Sequence, residues 1–138
     1  MWMVIWNFIL VANISYLNMY QRYKKDYTLA TRLLNRIEQS EYYSSNIPII
    51  FIGNEYSKKI ENIYDEDIRY VTGANGNSIF NSDFHLKQFI KYYLGVELVT
   101  PSEEKIEEIK NSYLIDEIGV FPDNDFIKII DNIIVVKF

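Results

Sequence analysis

Before Pro48 the chain contains neither glycine nor proline. A long unbroken helix is therefore permitted, and the side-chain spacing asks for one. Trp6, Leu10, Asn13, Leu17, Tyr20, Lys24, Tyr27, Thr31 and Leu34 recur at helical intervals, and Ile9, Tyr16, Tyr23, Ala30, Leu33 and Ile37 broaden the same side. The pattern predicts a single helix over about 3–39. At ~1.5 Å per residue such a helix exceeds roughly 50 Å, more than a domain of this size needs for its own packing. Its N-terminal half is expected to protrude, or to pack on something outside the chain.

Residues 1–12 read MWMVIWNFILVA, with Asn7 as the one polar side chain. The run is shorter than the ~20 residues of a membrane span. It lacks the basic start and small-residue cleavage site of a signal peptide. Three readings are open: one end of a buried helix, the stub of a membrane helix that continues upstream, or an interfacial or oligomer contact. Apolar residues around the whole circumference favour a helix surrounded by apolar material. Arg22, Lys24 and Lys25 follow, then Arg32 and Arg36, so the helix is basic where the chain as a whole is acidic. A solvated face is the plain explanation; contact with anionic headgroups or a phosphate-bearing ligand is the sharper one.

Composition narrows the functional classes. With 138 residues the chain fits one domain with a real core. A net charge of −5 argues against a general nucleic-acid binder. The absence of cysteine excludes disulfide frameworks, thiol catalysis, Fe–S clusters and thiolate zinc sites. One histidine, His85, leaves no His-rich metal site and disfavours most triad chemistries.

Ile47-Pro48-Ile49-Ile50-Phe51-Ile52-Gly53 reads as a strand buried on both faces, with Pro48 tolerated only at its start. Asn54 and Glu55 follow at its C-terminal end, where open α/β sheets collect ligands, although a plain strand-to-helix turn needs the same residues. A short helix is expected over 56–64 and a second strand over 68–72. Asp65-Glu66-Asp67 between them is a polar break. Gly73-Ala74-Asn75-Gly76-Asn77-Ser78 lacks the lysine and spacing of a phosphate-cradling loop. Ser82 or Asp83 is placed to cap a helix over 84–94, with Gly95 as its stop. Thr100-Pro101-Ser102-Glu103 has the form of a capping box: Thr as cap, Pro at the first helical position, Glu at the third. Two β-rich runs, 126–130 and 133–138, are joined by Asp131-Asn132, residues that tolerate the left-handed angles of a two-residue hairpin. Lys137 lies inside the last run, where a lysine is commonly an edge guard or a snorkelling side chain. The layout predicts an α/β fold: a small mixed β-sheet flanked by helices, with a long N-terminal helix and a C-terminal β-hairpin. It is read as one domain over 1–138, the helix followed by an α/β body over 47–138.

The order of several pieces resembles the soluble C-terminal region of GtrII-type glucosyltransferases, polytopic bacterial membrane proteins that glucosylate surface polysaccharide. The pieces are Asn18-Met19-Tyr20, Ala30-Thr31-Arg32-Leu33-Leu34-Asn35-Arg36-Ile37, Pro48-Ile49-Ile50-Phe51-Ile52-Gly53, Phe121-Pro122, and the closing Ile127-Lys128-Ile129-Ile130-Asp131-Asn132-Ile133-Ile134-Val135-Val136-Lys137-Phe138. The resemblance implies a fragment of a larger membrane protein, using polyprenyl-phosphate glucose as donor at the outer membrane face. It implies no metal or nucleotide cofactor. The catalytic acid is expected between membrane helices that this chain lacks, so the chain alone is expected to be inactive. The implied partners are the membrane-embedded part of the parent, the lipid-linked donor and the polysaccharide acceptor. Lys137, Arg32 and Arg36 are then candidates to neutralise the donor phosphate. An outward-facing domain would run against the usual charge pattern, since Arg22, Lys24 and Lys25 beside an apolar run mark a cytoplasmic flank. The competing reading is a stand-alone binding module that self-associates through its apolar N-terminal helix. A small enzyme centred on Asn54 and the 73–78 loop ranks third, because no nucleophile–base pair is visible.

Overall fold

The structure, a computed structural model, describes residues 2–53 and 78–138. The first element, α1, runs Trp2–Glu38 without a break, one residue earlier at each end than the spacing predicts. The hydroxyls of Ser15, Thr28 and Thr31 donate to the carbonyls of Val11, Lys24 and Tyr27 one turn back, so these polar side chains are satisfied within the helix. The two halves of α1 differ sharply. Asp26, Leu29, Ala30, Leu33, Leu34 and Ile37 are buried, and their spacing makes one stripe along the helix. Upstream of Asp26 no residue of the helix is buried.

The stripe packs on a three-stranded sheet ordered β1-β3-β2, with β1 Ile49–Ile52, β2 Ile127–Ile130 and β3 Ile133–Lys137. β1 pairs parallel with β3, Ile49 opposite Ile134 and Ile52 opposite Lys137. β2 and β3 form the expected hairpin, with Asp131 at φ 49° and Asn132 at φ 61° in the turn. Two successive positive φ values are what a type I′ connection needs, and its twist suits the strands it joins.

β3 is the central strand, not an edge. Ile133, Ile134, Val135 and Val136 are all buried, because the sheet is covered on both sides. On one side Ile134, Val136 and Phe138 meet Ile49, Phe51 and the α1 stripe, together with Phe80, Leu86, Phe89, Ile90, Phe121 and Phe126. On the other, Ile133 and Val135 meet Ile50, Ile130, Ile109 and Ile118. Lys137 therefore does not guard an edge. It extends from the central strand on the side away from α1, and its Nζ donates to the Ile115 carbonyl at 3.2 Å.

The outer edge of β1 is closed by neighbours. Ile49 N–H donates to the Val99 carbonyl at 2.9 Å, and Phe51 N–H donates to Asp83 Oδ1 at 3.0 Å. Gly53 ends the strand at φ 101°, where an added Cβ would lie 2.6 Å from the Phe138 carbonyl oxygen. Only glycine fits both that angle and that approach.

α2, Asp83–Phe89, continues into one π turn, Ile90–Leu94, and stops at Gly95 in the left-handed region, as expected for that glycine. Ser82 is its cap, accepting from His85 N–H. The third helix, α3, spans Glu103–Lys110 and does not use the expected capping box. Its cap residue is Ser102, and no side chain closes it. The reason lies just upstream. Val99 is still paired with β1, and Thr100 Oγ1 accepts from Lys87 Nζ at 3.3 Å, so the chain is held to its neighbours until Pro101. Glu103 and Glu104 in the first turn, with Lys110 in the last, complement the helix dipole instead. The helix expected over 56–64, the strand over 68–72, Asn54-Glu55, Asp65-Glu66-Asp67 and the loop up to Asn77 lie outside the described residues.

Candidate functional site

The N-terminal half of α1 contains no buried residue. Residues 2–21 carry no charge, and Arg22 is the first ionised side chain. Twenty such residues extend roughly 30 Å at ~1.5 Å per residue, about the hydrocarbon thickness of a bilayer. Trp2, Trp6, Phe8, Ile9, Leu10, Val11, Ile14 and Leu17 are exposed, Trp2 to 87%. By length and composition this helix is able to cross a membrane. Read to Gln21 rather than to Ala12, the apolar segment reaches spanning length, because Asn13, Ser15 and Asn18 are polar without being charged.

Where α1 meets the body, aromatic rings gather. Tyr23 lies 6.1 Å from Phe89 and 5.7 Å from Tyr93, ring centre to ring centre. Tyr27 lies 6.4 Å from Phe89, and Phe89 stacks on Tyr93 at 4.6 Å. Later residues of α2 thus meet earlier residues of α1. The π turn that ends α2 therefore lies on the side of the apolar half of α1. Tyr92 and Tyr93 stand at that end, both exposed, Tyr92 to 74%.

The cations divide by position. Arg22, Lys24 and Lys25 sit at the junction, with Lys24 Nζ 4.9 Å above the Tyr20 ring. Arg32, roughly 15 Å further along the helix at ~1.5 Å per residue, is exposed and makes no hydrogen bond or ion pair among the described residues. Arg36 is committed to its own chain. Its Nη1 donates to the Pro122 carbonyl at 2.6 Å and its Nη2 to Asn124 Oδ1 at 3.0 Å, while its guanidinium lies 4.6 Å from the Phe126 ring centre. Lys137 is on the opposite side of the sheet. The structure does not bring Arg32, Arg36 and Lys137 together.

Two carboxylates hold the site in place; the sequence offers Asp83 only as a helix cap, a role that Ser82 takes, and gives Asp26 no role. Asp26 is buried on α1. Its Oδ1 accepts from Ser78 Oγ at 3.0 Å and its Oδ2 from Ile79 N–H at 3.2 Å. It thereby ties the short 3₁₀ turn Ile79–Asn81 to the helix. Burial pushes its carboxyl above the ordinary value of 3.8, opposed by those two hydrogen bonds and by the charges of Arg22 and Lys25. A signal was present: the core stripe of Leu29, Leu33 and Ile37 extends backward onto position 26. Asp83 is the second. It accepts from Phe51 N–H and pairs with Lys87 at 3.0 Å. Burial lowers the Lys87 ammonium below its ordinary range, and the Asp83 charge and hydrogen bond oppose that shift. His85 sits beside its cap, with Nδ1 3.0 Å from Ser82 Oγ. Among the described residues, no three His, Asp or Glu side chains stand close enough to hold a metal ion.

No family model matches the chain, and no curated protein or solved structure matches it significantly. The resemblance to the glucosyltransferase region rests on the quoted residues alone.

Proposed function

We propose that this chain is the membrane-anchored accessory domain of a glycosyltransferase, one that moves glucose from a polyprenyl-phosphate donor to a cell-surface polysaccharide. The observation that carries the membrane half of this reading is the uncharged segment 2–21 of α1, in which no residue is buried. Apolar side chains on every face of that segment suit lipid better than a single partner helix, which needs only a stripe. The transferase half comes from the ordered pieces quoted above, with the domain facing outward.

In this arrangement the domain supplies surface, not bond chemistry. The phosphate of a lipid-linked donor lies in the headgroup layer. Arg22, Lys24 and Lys25 stand at the level where α1 leaves the hydrocarbon. Arg32 stands well above it, Arg36 is engaged by the 122–124 loop, and Lys137 by Ile115. A point charge acts on phosphate over about 8–10 Å at physiological salt before screening takes over. The junction cations are therefore better placed to meet the donor than the three expected from sequence.

Fractionation of the source cells tests the reading, with an antibody against this domain. A membrane-bound band several-fold larger than the 138-residue chain supports it. A soluble band of the chain's own size refutes it, and favours self-association through α1. Protease treatment of intact cells then assigns the side, since only an outward-facing domain is removed.

A further inference from the structure

We propose that the C-terminal end of α2 is a second membrane contact: Tyr92 and Tyr93, with Tyr20 and Tyr23 of α1, seat the body in the phospholipid headgroup layer of the bilayer that α1 crosses. The inference rests on the membrane reading above and adds to it an element that the helix alone does not require. Tyrosine has an apolar ring and a polar tip, which is why it concentrates where hydrocarbon meets water. Tyr20, Tyr23 and Tyr93 are tied to one level of the molecule, and Tyr92 is the neighbour of Tyr93 on the same exposed turn. Tyr20 and Tyr23 are one turn apart, roughly 5 Å along the axis at ~1.5 Å per residue. Tyr93 is held at that level by its contact with Tyr23 at 5.7 Å and its stack on Phe89 at 4.6 Å. The headgroup layer is roughly 5–8 Å deep on each side of the hydrocarbon, enough to hold Tyr20, Tyr23 and Tyr93 at their shared level.

The level is also the right one. The uncharged segment ends at Gln21, and Arg22, Lys24 and Lys25 begin immediately after it. Cations at this height attract anionic headgroups, and the Lys24 ammonium already lies over the Tyr20 ring. Lys91, on the same turn as Tyr92 and Tyr93, is ion-paired with Glu97, so the α2 contribution is aromatic rather than electrostatic. The body consequently meets the bilayer at two points, α1 and the end of α2, which is enough to orient it.

The chain has no cysteine, so single substitutions accept one spin label each. Ile9→Cys, Tyr92→Cys, Tyr93→Cys and Tyr113→Cys are labelled in the full chain, in nanodiscs of phosphatidylcholine and phosphatidylglycerol. Collision with oxygen is compared with collision with a water-soluble nickel complex. Tyr113, on the side of the sheet away from α1, is 75% exposed and reports bulk water. Tyr92→Cys leaves the Phe89–Tyr93 stack intact, so it remains readable if Tyr93→Cys disturbs the fold. The expected result is lipid at position 9 and several-fold weaker nickel access at position 92 or 93 than at 113. Nickel access at 92 and 93 equal to that at 113, with position 9 in lipid, overturns the second contact and leaves the membrane reading standing. A water-exposed label at position 9 overturns both.

Discussion

Asp26 offers the sharpest test of how the body is tied to its helix. Replacing it with alanine removes the acceptor for two donors, the Ser78 hydroxyl and the Ile79 amide. The hydroxyl is buried and the amide half-buried. Leaving one such donor unsatisfied costs about 1–3 kcal/mol. The carboxylate's own burial penalty disappears at the same time, so the net loss for Asp26→Ala should be about 1–3 kcal/mol rather than twice that. Asp26→Asn keeps one acceptor oxygen and sheds the charge, and should stay within about 1 kcal/mol of the parent near neutral pH. The pH dependence separates the two effects. The folded carboxyl titrates above its unfolded value of 3.8. Between those two values the folded state binds the extra proton, so this group's contribution is fully present below the unfolded value. It is lost as pH rises through the folded one. In Asp26→Asn that component vanishes, so the parent should gain stability relative to the Asn variant on acidification. Urea unfolding in detergent micelles, followed by far-ultraviolet circular dichroism across the acidic range, measures it. An alanine variant as stable as the parent, or a parent-minus-Asn difference that is flat with pH, would refute the buried-acceptor argument.

Three further outcomes are expected. Leu33→Ala, at a position with 0% exposure, should lose about 2–5 kcal/mol in the same assay; a loss below about 1 kcal/mol would mean the α1 stripe is not the core. Gly53→Ala should be destabilising by more than about 1 kcal/mol, because the residue sits at φ 101° with a Cβ position 2.6 Å from a carbonyl oxygen; an unchanged unfolding midpoint would contradict that crowding. Lys137→Ala should leave the fold intact, since its ammonium bonds a backbone carbonyl, and should leave polysaccharide glucosylation by the full-length parent unchanged, since the residue lies on the face of the sheet away from α1; a loss of glucosylation would return Lys137 to the donor phosphate.

Local chemistry was legible in the sequence, and long-range choice was not. The long helix follows from its period and from the lack of glycine and proline before Pro48. The hairpin turn follows from Asp131-Asn132, and the end of α2 from Gly95. Sheet order does not follow from any of these. The run Ile133–Val136 suits any strand buried on both faces, and its central place depends on a parallel partner more than eighty residues away. The capping box failed for a related reason: Thr100 satisfies a lysine on α2 instead of the backbone of α3. Arg36 looked like a free cation because nothing in its neighbourhood along the chain announces Pro122 and Asn124. Asp26 had a signal along the chain, since its place in the helical period continues the buried stripe.

The continuity of α1 has a mechanical consequence. The helix that leaves the body is the same helix on which the sheet is built, with no glycine, proline or loop between the exposed segment and the buried stripe. A flexible tether would let the body swivel; a single rod does not. A change of tilt of about 20°, an ordinary angle for a membrane helix, acting over the roughly 25 Å from Tyr20 to Glu38 at ~1.5 Å per residue, would carry the far end of the helix sideways by roughly 9 Å. Rotation about the helix axis would turn the whole sheet through the same angle. Whatever sets the tilt of the first twenty residues therefore also aims the face that carries Lys137.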